Sequence, residues 1–174
     1  EILRELLNEC GVNTNKIKQG NIPVFYNEYK LRTFENINHE VFVSKELFKN
    51  KEYQKFKYVI NQIIEKAKTG NNLNMYLSKS IKDNIIKPDK MLNEWGVVHL
   101  HLGDKEKNGY VNRTKELLFI YRDNQDKTKL YILDIFSHGD WSMKKTIEIL
   151  RNNWKKAIEK YRTKGITDVY PKLD

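Results

Sequence analysis

One cysteine, three prolines and no long apolar run limit what this chain of 174 residues can be. Cys10 alone cannot close a disulfide within the chain, so a cysteine-stapled secreted scaffold is excluded and a cytoplasmic protein is expected. No stretch approaches the roughly 18 consecutive apolar residues of a membrane-spanning helix, so no membrane partner is expected. A signal-peptide pattern is absent too, but the chain opens at Glu1 rather than Met, which leaves a preceding targeting segment open. There is no internal repeat and no low-complexity tract. Acid is the minority charge: 23 Asp and Glu stand against 32 Lys and Arg.

What is present is a basic, ordinary globular composition. The formal net charge of +9 favours an anionic partner, and RNA is the expected one. The excess is spread over both halves, as an AT-rich genome also produces. With 39% hydrophobic and 32% charged residues the chain can bury a core without staples. One domain over 1–174 is expected, with 1–45 as an N-terminal extension and 46–165 as the core. The oligomeric state is not legible.

Periodicity divides the chain into α and β segments. Residues 1–10 read as a helix stopped by Gly11. Ile22–Tyr29 and Glu40–Ser44 are rich in Val, Phe and Tyr and read as short strands. Tyr53, Phe56, Ile60, Ile63 and Ala67 draw one apolar stripe on a helix over 48–68. Residues 73–87 are ambiguous, and Pro88-Asp89 opens a helical turn towards Trp95 and Gly96. Three strands follow, Val97–Leu102, Glu116–Arg122 and Leu130–Phe136, with a long, mobile-looking connection over 103–115. A final helix over 142–163 carries the stripe Met143, Ile147, Leu150, Trp154, Ile158 and Tyr161. Its other face holds Lys144, Lys145, Arg151, Lys155, Lys156, Lys160 and Arg162. The expected fold class is α+β: an antiparallel sheet of three to five strands packed by helices, with a long C-terminal amphipathic helix.

Three of the four histidines fall in the strand region. His99 and His101 sit two apart, so they share one face of their strand, roughly 6–7 Å apart, while Val98, Leu100 and Leu102 face the core. His138 closes the third strand, and His39 is isolated and reads as structural. Imidazole holds or releases a proton near neutrality, so one histidine can act as general base on a ribose 2′-OH and another as acid on the leaving 5′-oxygen. Arg113, Lys105, Lys107 or Arg122 can stabilise the charged phosphorane, and Tyr110 can orient a phosphate or stack on a base. That chemistry needs no metal and no cofactor. Two alternatives stay open. His99, His101 and His138, with Asp134 or Asp104, could ligate zinc or iron, although cations outnumber carboxylates there. A non-catalytic module could instead bind nucleic acid or protein through the basic face around Lys155 and Lys156.

The order of these parts resembles the RelE/ParE-like toxin superfamily and the wider barnase-like ribonuclease fold. The resemblance spans about residues 48–142. It rests on a helical segment, a strand running to Gly103, Arg113 ahead of Leu117-Leu118-Phe119-Ile120-Tyr121, and a strand closing in Asp134-Ile135-Phe136-Ser137-His138. It implies helices packed on a curved antiparallel sheet, a toxin-like endoribonuclease, and a cognate antitoxin protein as partner. Arg113 and His138 match the basic residues that precede the central strand and close the next one. The pair His99 and His101 and the longer terminal helix depart from that pattern.

Overall fold

A computed structural model describes residues 1–82, 89–123, 125–137 and 143–161. His138, Asp140, Trp141 and Ser142, expected to close the third strand and cap the last helix, lie outside the described residues, as do Pro88 and Arg162.

The N-terminal part is helical. Helix α1 spans Ile2–Glu9 and α2 spans Ile22–Arg32. The second corrects the expected strand over Ile22–Tyr29. Pro23 stands in the first turn of α2, where its fixed φ and missing N–H suit a helix start. Ile22 and Phe25 then bury three residues apart, a helical and not a strand spacing. With Leu7, Val12 and Ile17 they form a small core of their own.

Strand β1, Glu40–Val43, leads into α3, Lys45–Lys49, which Ser44 caps by accepting the Leu47 N–H at 3.1 Å. Helix α4, Tyr53–Lys68, buries the expected stripe Tyr53, Phe56, Ile60, Ile63 and Ala67. Short 3₁₀ turns follow at Asn74–Tyr76 and Lys79–Lys82. Helix α5, Lys90–Trp95, delivers the chain to β2, Val97–His101. The connection over 103–115 contains a two-stranded hairpin, β3 (Glu106–Lys107) and β4 (Tyr110–Val111). Strands β5, Glu116–Arg122, and β6, Lys129–Ser137, complete the large sheet.

That sheet runs in the order β1-β6-β5-β2. Strands β2, β5 and β6 are antiparallel, but β1 pairs in parallel with β6, so the sheet is mixed and not antiparallel throughout. Strand direction at a distant pairing is set by the long crossover between β1 and β6, which carries no local pattern. Both faces are covered. Val98, Leu100, Leu118 and Ile120 pack with Phe56, Ile60 and Ile63 of α4. Val97, Leu117, Phe119 and Tyr121 pack with Ile149 and Leu150 of α6, Met143–Asn153. The face carrying His99 and His101 is therefore a second core and not the half-solvated surface their polarity suggests. Five consecutive residues of β5, Leu117 to Tyr121, are buried in consequence.

The expected long C-terminal helix is interrupted. Helix α6 ends at Asn153, Trp154 leaves helical geometry at φ −142° and ψ 63°, and α7 covers only Lys155–Ile158. Asn153 turns its side-chain amide onto the Ile149 carbonyl at 2.9 Å and onto Glu46 at 2.7 Å. The break lets the Trp154 ring meet the Tyr131 ring edge-on, centroids 5.1 Å apart. Among the described residues no helix is long and apolar enough to cross a membrane.

Candidate nucleic-acid interface

The end of the sheet where β2 leaves and β5 enters is built from a few small residues. Asn108 and Gly109 both take positive φ, 55° and 77°, which closes the β3–β4 hairpin in two residues. Asn112 ties the hairpin base: its N–H reaches the Lys105 carbonyl at 2.8 Å, and its side-chain oxygen accepts the Lys105 N–H at 2.9 Å. Gly103 sits so close to Asn112 that a Cβ there would stand 2.1 Å from its carbonyl oxygen. Thr114 clasps the strand ends. Its hydroxyl accepts the Leu102 N–H at 2.9 Å and donates to the Glu116 carbonyl at 2.6 Å. The connection over 103–115 is thus pinned, although its length and polarity suggest a mobile loop.

His101 belongs to this clasp. It is 4% exposed, and its Nδ1 accepts the Thr114 N–H at 3.3 Å. An accepting Nδ1 leaves the proton of the neutral ring on Nε2. His99 is half-buried, its ring 5.8 Å from that of Phe119, the residue opposite it on β5. The two imidazoles share one face, as their spacing requires.

Arg113, Lys105 and Lys107 are exposed on the same connection, and Tyr110 is half-buried between them. They meet a segment that the sequence leaves unassigned. Arg113 donates to the Ser78 hydroxyl at 2.8 Å. The ammonium groups of Lys79 and Lys82 stand 5.8 and 5.6 Å from the centre of the Tyr110 ring. Lys79 and Lys82 thereby flank one aromatic ring, and Arg113 is bonded to their neighbour Ser78, although more than 30 residues separate the lysines from Arg113. Beneath them, Tyr76 and Val111 are buried and root both segments in the α4-side core.

Other expected site residues fall elsewhere. Arg122 stands at the far end of β5, five residues past Leu117, the partner of His101, so about 17 Å from that end. Its guanidinium donates to the Thr33 carbonyl at 2.7 Å and to the Leu31 carbonyl, and lies 4.8 Å from the centre of the Phe34 ring. Burial brings its pKa down to about 10. Such a group holds the end of α2 against the sheet and is not presented to a phosphate at the hairpin. Asp134 is half-buried, its carboxyl pushed upward by burial, against the bonds it accepts from Ile135 N–H at 2.8 Å and Asn50 at 2.7 Å. Asp104 is exposed. Among the described residues no three or more His, Cys, Asp or Glu side chains gather as a metal site. The basic face of α6 and α7 is exposed at Lys144, Lys145, Arg151, Lys155 and Lys156. Cys10 is exposed at the end of α1.

No family model matches the chain, and no similar curated protein and no similar solved structure is found.

Proposed function

We propose that this protein binds RNA through the pinned hairpin end of its sheet. The observation that carries this is the placement of Lys79 and Lys82 beside the Tyr110 ring of a tied hairpin, with Arg113 of the same connection bonded to Ser78 next to them. Single-stranded RNA is bound by such a combination: cations for the backbone phosphates, an aromatic ring for a base, and little rearrangement to form the contact. The test is fluorescence anisotropy on a mixed-sequence single-stranded RNA across a salt series. Replacing Lys79, Lys82 and Arg113 together by Ala is expected to weaken binding at least tenfold. If each cation meets one phosphate, it also flattens the log K against log salt slope by about 2. Wild-type affinity in that variant, with loss on reversing Lys155 and Lys156, would move the interface to the C-terminal helices.

A second reading adds metal-independent cleavage, with 2′-OH attack on the neighbouring phosphate. It is favoured by the clasp that fixes the His101 tautomer beside half-buried His99 and exposed Arg113. Burial makes His101 a positioning residue in this reading, and His99 the group able to reach substrate. The resemblance to RelE/ParE-like toxins, and an antitoxin partner with it, belong here. Incubation with mixed RNA in excess EDTA decides it. Cleavage leaving 2′,3′-cyclic phosphate ends, lost in His99→Ala and Arg113→Ala, supports an endoribonuclease; intact RNA leaves binding alone.

A further inference from the structure

Away from the hairpin lies a cavity of about 450 Å³, a size common for small-molecule sites. It opens between the end of α2 with the segment behind it, and the turn joining β5 to β6. Leu31, Phe34, Ile37 and Leu130 give it apolar walls. Two polar groups inside it are incompletely matched. His39 is 8% exposed, and neither of its ring nitrogens has a hydrogen-bond partner. The carbonyls of Lys127 and Glu35 act on the ring only as lesser influences, without normal hydrogen-bond geometry. Arg122, also lining the cavity, carries a half-buried positive charge held by two backbone carbonyls. Among the described residues no carboxylate pairs with it: Glu35, the nearest in influence, is joined to Lys127 at 2.9 Å across the mouth. Lys30 adds a further positive charge at the rim.

Buried imidazole nitrogens without partners and a half-buried guanidinium to which no carboxylate is bonded are both costly. One guest would relieve both. We propose that this cavity binds a small organic anion, an apolar body carrying one carboxylate or phosphate group. The body lies against Leu31, Ile37 and Leu130. The anionic group faces Arg122 and Lys30, and a polar atom of the guest meets the His39 ring. Nothing in this depends on the hairpin interface, which lies at the opposite end of β5.

The experiment is an NMR titration of the full chain labelled with ¹³C in its histidine rings. The probes are benzoate, phenyl phosphate and the uncharged isostere benzamide. The expected result is a saturable shift of the His39 ring signal with benzoate or phenyl phosphate at millimolar concentration or below. Whichever anion binds at least tenfold tighter identifies the head group. Benzamide should bind at least tenfold more weakly than the better anion. Lys30→Glu, an exposed change that leaves the core intact, should weaken the anion at least fivefold, and His39→Gln should do so if it folds. An unmoved His39 signal with both anions, equal binding of benzamide, or an indifferent Lys30→Glu would overturn the proposal. The cavity would then be a water-filled packing defect.

Discussion

Arg122 carries its charge into a region where burial lowers its pKa to about 10, and it holds there because a guanidinium can donate to two carbonyls at once. Those carbonyls, of Leu31 and Thr33, belong to the end of α2, where a helix leaves acceptors unmatched. Arg122→Met keeps much of the stem and removes both donors. It is expected to cost about 2–4 kcal/mol in urea unfolding, and Arg122→Lys should recover little. His39 acts on pH instead. Burial lowers its pKa from 6.5, with Arg122, Lys127, Glu35, Lys30 and Asp123 as the charges around its cavity. In the window between the folded value and 6.5 the unfolded chain takes up the proton and the folded protein does not. Its contribution is therefore complete above pH 6.5 and lost as pH falls through the folded pKa. The urea midpoint should drop between pH 7 and pH 5, and the drop should shrink in His39→Gln. Asp134, whose pKa burial raises, works in the opposite sense in a window above 3.8 and does not produce this loss.

At the scale of the element, the hairpin inserted between β2 and β5 shows how a fourteen-residue connection becomes rigid. Its turn is set by Asn108-Gly109, its base by Asn112, and its attachment to the sheet by Thr114. Gly103 is the weak point, because nothing but hydrogen fits between it and Asn112. Gly103→Ala is expected to displace the hairpin base. Amide exchange of the Lys105 and Asn112 N–H groups should rise well above that of β5, and stability should fall by roughly 2 kcal/mol. Under the RNA-binding proposal the same variant loses affinity while Lys79, Lys82 and Arg113 are all still present. Wild-type exchange in the Gly103→Ala variant would mean that the close approach is relieved elsewhere. The break at Trp154 is a second element-scale feature. A helical stripe runs through it without interruption in the sequence, yet Asn153 and the aromatic contact to Tyr131 end the helix there.

Over the whole molecule, one mixed sheet separates two cores. Ile60 lies wholly within the α4-side core and Leu150 wholly within the α6-side core. With a layer spacing of about 10 Å on each face of the sheet, they share no partners. Ile60→Ala and Leu150→Ala should each cost about 2–5 kcal/mol. The double variant should equal their sum within about 0.5 kcal/mol. A larger coupling in urea unfolding would mean that the sheet transmits packing changes from one face to the other.

Local chemistry determined much of this. The stripe of α4, the limits of β5 and the shared face of His99 and His101 all follow from periodicity, which operates over a few residues. Arg113, Lys105, Lys107 and Tyr110 were legible as one loop for the same reason. Pro23 and the Ile22 to Phe25 spacing also held the signal for α2, but β-forming side chains mask it. Tertiary structure alone decided the rest. The parallel pairing of β1 with β6, the second core over the histidine face and the arrival of Lys79 and Lys82 beside Tyr110 join residues far apart in the chain. Arg122 divides the two cases: its position on a strand is local, but whether its charge meets solvent or the end of α2 depends on what packs against that strand. Periodicity states which side chains share a face, and only packing states what that face meets.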